Sequence, residues 1–316
     1  MSSPGEAHNV ILGGLEGQIL RARSGLADDH QLSPKNWGSL GLAYLEMFPS
    51  TESLDTLEKA IEYLSHAVAL TLDNDPDLSE WLDDLGLAYV ARFQRLGGLE
   101  DLDKSIEHAS RSVASTLDGH PDMPHRLNNL GMAHLNRFRR LGELADLEKA
   151  ISHRIRALVL TPKDNPAIAY RHASLGVCYS DRYQFLGELS DLEKAIEYDT
   201  LALKLTPEGH PEMSYRFANL RVSYTDRFRR FGDLEDLQKS IEYGNGAVAL
   251  TPDGHPSMPN RLADLAIAYG DRFRRLGELD DLEQSITHIS HALALTPDDH
   301  ADMSNRLASL AVSKKT

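Results

Sequence analysis

The stretch TPDGHPSMPNRL, Thr251–Leu262, has close relatives along the chain: LDGHPDMPHRL from Leu117, TPEGHPEMSYRF from Thr206 and TPDDHADMSNRL from Thr296. Its leading threonine recurs at Thr71, Thr116, Thr161, Thr206, Thr251 and Thr296, each 45 residues after the last, with nothing inserted or deleted. A fixed period of this size gives every helix and turn one length, which is the mark of a stacked repeat array. The repeats run 26–70, 71–115, 116–160, 161–205, 206–250 and 251–295. Residues 1–25 read as a degenerate N-terminal segment in which Ile19 and Leu20 belong to a short capping helix. Residues 296–316 read as the truncated first helix of a seventh repeat.

Within one repeat the apolar residues follow helical steps of three or four, as in Leu127, Leu130, His134, Phe138 and Leu141. They form one face of a first helix, A, which Gly142 ends. Leu144 leads into a second helix, B, with Asp146 as its candidate N-cap, and Leu147, Ala150, Ile151, Ala157, Leu158 and Leu160 are its expected buried face. Pro162 stops helix B because it lacks the N–H that a further turn would use. Neither helix can bury its apolar stripe alone, so the hairpins must stack.

Composition narrows the function classes. The charge count is 33 minus 48, or −15, which argues against DNA, RNA and anionic membrane as partners and leaves basic partners open. No run approaches the ~18 apolar residues of a membrane span, and the start MSSPGEAHNV lacks a basic segment and a signal-length apolar run, so a cytoplasmic chain is expected. The lone cysteine, Cys178, excludes internal disulfides. It falls in a column otherwise filled by Ala43, Ala88, Ala133, Ser223 and Ala268, where a small residue at a helix contact is expected. No P-loop, nucleophile-elbow or zinc-ligand pattern occurs, so no cofactor, metal or catalytic residue is assigned and the chain reads as non-enzymatic.

Trp37, Leu40, Gly41 and Tyr44 match the W-x2-L-G-x2-Y signature of the tetratricopeptide (TPR) repeat, with its later alanine and proline at Ala150 and Pro162 in the third repeat. The chain therefore resembles TPR proteins, which implies an all-α, right-handed alpha-alpha solenoid of TPR-like helical hairpins. A TPR is about 34 residues. Seven of the extra residues fall where A meets B, adding about one turn to each helix, and four fall at the DGHP turn. The family's aromatic four residues after the alanine is missing: that column reads Leu64, Ala109, Arg154, Asp199, Gly244 and Ile289. The elongated repeat is similar to the arrays of large fungal TPR proteins, some of which continue into a caspase-like CHAT protease domain.

The histidine column reads His30, Asp75, His120, Asn165, His210, His255 and His300. Packed helices lie ~8–10 Å apart, too far for neighbouring repeats to share one metal ion. With Pro124 and Pro259 placed in the first turn of helix A, the N-caps fall at Asp122 and Ser257 and leave each histidine just outside, bonded within the turn. The Arg137–Arg140 and Arg227–Arg230 segments complement the C-terminal dipole of helix A and pair with the acids that follow.

The resemblance implies that helix A lines a concave groove that binds a peptide or protein segment. On that reading the exposed columns are Tyr170, Tyr215, Asn260 and Asn305; Ser180, Thr225 and Gly270; and Asp181, Asp226 and Asp271. The last two columns begin with Leu45 and Val90, and Glu46 and Ala91, so the groove is expected to pass from an apolar to an acidic half. The alternative function is the sensor arm of a larger effector such as a CHAT-type protease. It rests on the break at Thr316, whose open apolar end could also pair two copies as a homodimer.

Overall fold

The computed structural model of the chain describes residues 33–297 and 300–315, without the side chains of 312–315. The segment 1–25 and its Ile19–Leu20 helix, and His30, lie outside the described residues. The regular elements among the described residues are thirteen α-helices, in two compact units. Residues 1–161 carry α1 (Pro34–Thr51), α2 (Leu54–Leu70), α3 (Leu78–Leu96), α4 (Leu99–Ser115), α5 (Met123–Leu141) and α6 (Leu144–Leu160). Residues 162–316 carry α7 (Ile168–Leu186), α8 (Leu189–Leu205), α9 (Met213–Phe231), α10 (Leu234–Ala249), α11 (Met258–Leu276), α12 (Leu279–Ala294) and α13 (Met303–Lys315). Odd-numbered helices are A and even-numbered are B. Each A packs against the B that follows, and within each unit that B packs against the next A. From Leu78 and Leu54 onward, A and B helices start at intervals of 45 residues.

Both helix ends have local causes. Gly142 caps α5 at φ +74°, and its N–H reaches the Phe138 carbonyl at 2.7 Å. Only glycine takes that left-handed conformation without steric cost. The first repeat has Glu52 there instead, at φ 48° with its N–H on the Phe48 carbonyl. Helix B stops at the repeating threonine. Thr161 Oγ1 donates to the Ala157 carbonyl at 2.7 Å, and α2 and α4 stop in the same way at Thr71 and Thr116, which leucines follow. Pro162 therefore reinforces a stop that the threonine already makes. Leu141 and Leu160, expected in the core, each end a helix with about half of the side chain exposed, at 45%.

Asp146 is not the N-cap of helix B. Glu143 holds that position in extended conformation, while Asp146 lies in the first turn, 2% exposed. Its carboxylate is held from helix A: Arg137 Nε donates to Oδ2 at 2.8 Å, Arg137 Nη2 to Oδ1 at 2.7 Å, and His134 Nδ1 lies 2.9 Å from Oδ1. The same forked contact joins Arg182 to Asp191, Arg227 to Asp236 and Arg272 to Asp281, and Arg92 grips one oxygen of Asp101. The remaining Nη1 turns to the preceding helix B. Arg92 reaches Glu58 at 2.9 Å, Arg137 reaches Asp103 at 2.8 Å, Arg227 reaches Glu193 at 3.5 Å, and Arg272 contacts Gln238. One arginine thus closes its own hairpin and ties it to the one before. In the first repeat Met47 and Thr56 replace both partners.

The aromatic missing from helix B stands one residue earlier. Tyr44–Tyr63, Tyr89–His108, His134–His153, Tyr179–Tyr198, Tyr224–Tyr243 and Tyr269–His288 pair across the six hairpins with ring centroids 5.5–5.7 Å apart. On several of these rings the closing arginine also lies over the helix A face, as Arg227 does over Tyr224 at 5.0 Å. The column that lacks the aromatic packs on the glycine of helix A instead. A Cβ on Gly176 would stand 2.3 Å from Asp199, and one on Gly41 2.6 Å from Leu64. The fifth repeat reverses the sizes, with Arg221 on helix A against Gly244 on helix B. Cys178 is fully buried, as its column of small residues requires.

Two stability outcomes follow. Glu52→Gly should raise the free energy of unfolding by about 1 kcal/mol by removing a left-handed non-glycine residue, read from urea midpoints; an unchanged or lower midpoint contradicts the strain. Burial pushes the Asp146 carboxyl up, and the Arg137 and His134 hydrogen bonds pull it further down, leaving it below its ordinary value. Its contribution is full above the unfolded value of about 3.9 and is lost as pH falls through the folded one. Asp146→Asn should therefore flatten the acid-induced loss of stability below about pH 4, and a wild-type slope would exclude the clasp as its source.

Candidate binding surface

The turn histidines have one geometry. The Nδ1 atoms of His120, His210, His255 and His300 accept the backbone N–H two residues on, at 3.1–3.2 Å. Asp75 and Asn165 do the same with Oδ1, at 2.9 and 2.8 Å. The imidazole stands in for an Asx side chain, which explains why His, Asp and Asn share the column. Helix A starts behind it as expected, with N-caps at Asp122 and Ser257 and Pro124 and Pro259 in the first turn. Among the described residues no three His, Cys, Asp or Glu side chains are placed to hold a metal ion.

The expected groove residues divide. Tyr170 and Tyr215 stand 43% and 42% exposed in the first turns of α7 and α9, and Asn260 and Asn305 are exposed in α11 and α13. Thr225 is 8% exposed; its hydroxyl contacts Ser240 Oγ of α10 at 2.7 Å and the Arg221 carbonyl at 2.8 Å. Its column faces helix B. Val90 is buried there, Ser180 is partly buried, and a Cβ on Gly270 would meet Ser285 Oγ. These positions, Leu45 included, belong to the hairpin contact, because one step along a helix turns the side chain by about 100°. Asp181, Asp226 and Asp271 are partly buried; Asp226 lies 3.6 Å from Arg229 and Asp271 pairs with Arg274, each on its own helix. Burial holds the Asp226 carboxyl above its ordinary value.

The exposed stripe of helix A is completed by residues that the sequence reading passed over. On α11 it runs Asn260, Asp264, Ile267, Asp271 and Arg274, with Ile267 40% exposed and Asp264 bonded to Arg221 of α9 at 2.8 Å. On α3 the matching stripe carries Glu80 and Asp84. The Asp84 carboxyl is pushed up to about 7 by burial, then by Asp83, Glu80 and Glu46. The apolar half expected there is therefore hairpin core, and its helix A face is acidic.

A second arginine column was also missed. Arg126, Arg171, Arg216, Arg261 and Arg306 are all at least nine-tenths buried. Arg126, Arg261 and Arg306 each donate to the hydroxyl of the threonine ten residues earlier, at Thr116, Thr251 and Thr296. The available signal was the fixed Thr-x9-Arg spacing.

The turn geometry sets a direct expectation. His120→Asn should leave the thermal midpoint within about 1 °C, whereas His120→Ala should cost about 0.5–1.5 kcal/mol. Equal loss in both variants would show that the ring, not its acceptor atom, is what the turn requires.

No protein-family model and no curated protein matches the chain. Among solved structures it is similar to BtubC (BKLC) from P. vanneervenii, at 19% identity and a TM-score of 0.54, over 77% of this chain and 91% of that one. It is similar to Acl4, the assembly chaperone of RpL4, at 15% identity and a TM-score of 0.54, over 90% and 96% of the two chains. TTC0263, a thermophilic TPR protein in Thermus thermophilus, gives 18% identity and a TM-score of 0.47, over 74% and 99%. These are likenesses of fold: the chain is an all-α array of TPR-like helical hairpins.

Proposed function

We propose that the chain is a non-enzymatic scaffold that holds a protein or peptide segment against the helix A face of residues 162–316. The observation that carries this reading is the placement of Tyr170, Tyr215 and Ile267, large apolar side chains left about 40% exposed on α7, α9 and α11. Tyrosine is suited to such a contact because it offers a rigid apolar body and a polar tip at little entropic cost. Tyr215 is braced for it. Its hydroxyl lies 3.1 Å from His255 Nε2, and the Arg261 guanidinium lies 4.9 Å from the ring centre. The acidic row contributes less than its formal charge, since Arg229 and Arg274 already face Asp226 and Asp271. Apolar contact then supplies most of the affinity, and the carboxylates select among donors, basic side chains included. A fold like that of Acl4, an assembly chaperone, is compatible with a protein ligand.

Capture of a partner from the native cell, quantified for wild type and variants, tests the surface. The Tyr215→Ala, Ile267→Ala double variant should lose about tenfold or more of its capture. Charge reversal of Asp181, Asp226 and Asp271 together should lose less, with helical circular dichroism unchanged in both. Wild-type capture by the Tyr215/Ile267 variant removes this face as the binding surface.

A further inference from the structure

Between the turns that open the fourth and fifth repeats lies a cavity of about 310 Å³, lined in part by Pro166, Tyr170, Thr206, His210, Glu212 and Arg216. Arg216 is 5% exposed, yet it lacks the threonine bond that satisfies Arg126, Arg261 and Arg306. The Thr206 hydroxyl donates to the Ala202 carbonyl at 2.7 Å. The ionic neighbour of the guanidinium is Glu212, 3.4 Å from Nη2, and Nε is buried without a hydrogen-bond partner. Burial pulls the Arg216 pKa below the usual arginine range, against the opposing pull of Glu212, Asp199 and Tyr170. A buried guanidinium with idle donors is costly unless something accepts from it.

The corresponding cavity between the sixth and seventh repeats, about 300 Å³, shows the satisfied case. There Arg306 bonds Thr296 and Asn260 and lies 3.4 Å from Asp302. Tyr170 occupies the column of Asn260 and offers no amide oxygen to Arg216.

We propose that the cavity at Arg216 is a binding site for an oxyanion, a carboxylate or phosphoryl group, received on the guanidinium between Tyr170 and His210. The planar fork of arginine matches either group. His210 accepts the Glu212 N–H through Nδ1, so the neutral ring carries its proton on Nε2, a donor like the Tyr170 hydroxyl. Glu212, 45% exposed in its side chain, is free to turn to water as the anion takes its place. This site goes beyond the helix A reading and is filled without any protein partner.

Calorimetric titration of the full chain with inorganic phosphate and, separately, N-acetylglutamate, at ionic strength held constant with potassium chloride, tests it. Saturable binding of phosphate alone assigns a phosphoryl ligand, and of N-acetylglutamate alone a carboxylate. Arg216→Gln should weaken it about tenfold or more. Should that variant fail to fold by circular dichroism, Glu212→Gln and Tyr170→Phe decide: the first should tighten binding severalfold by removing the competing carboxylate, and the second should weaken it. The proposal is overturned if neither anion saturates above chloride, or if binding is unchanged in a folded Arg216→Gln variant or in both of the others.

Discussion

The arginine near the end of each A helix from α3 to α11 is the contact on which the rest of the array depends. It stands nine residues before an aspartate in the first turn of helix B, so its reach is fixed by the length of the A–B turn. It stands 34 residues after the polar residue of the preceding helix B that it also meets, so that reach is fixed by the B–A turn as well. An insertion in either turn breaks one of the two contacts. The period of 45 residues, unbroken over the array, is the outcome of that double constraint.

Around the clasp the helices can vary as long as each hairpin compensates internally. A bulky residue opposite a glycine can change sides, as Arg221 and Gly244 do. A tyrosine in the ring pair can become histidine, as at His108 and His288, and His134–His153 replaces both rings. In that last pair burial, with His134 close by, takes the His153 pKa down to about 4, so the ring is neutral and packs as an aromatic would. Variation that leaves the hairpin intact is then free to concentrate on the stripe of helix A that faces solvent and on the turn cavities. Tyr170 touches both, exposed on one side and lining the Arg216 cavity on the other.

Much of the fold was legible because its signals are local. Gly142 ends a helix through a conformation that only glycine adopts freely, and Pro124 and Pro259 place the N-caps by the hydrogen bonds that proline cannot make. The histidines were readable as turn residues for the same reason. The site was less legible. Ser180 and Thr225 sit one residue from the exposed stripe, and a reading carried over from a shorter repeat cannot place a column to within one 100° step. The ring at Tyr198 escaped notice because it lies three, not four, residues after Ala195. Arg216 and Asp146 were invisible as site and clasp because their partners lie across a turn, where spacing alone does not reveal direction.

A double-mutant cycle in the fifth repeat tests the clasp most directly, with Arg227 paired first with Asp236 and then with Glu193, read as free energies of urea unfolding. Asp236 is buried and gripped by two donors, while Glu193 is largely exposed. The coupling to Asp236 should exceed about 1 kcal/mol, and that to Glu193 should stay within about 0.2–1 kcal/mol. A coupling to Asp236 no larger than that to Glu193 would contradict the account, since the hairpin would then be closed by packing alone.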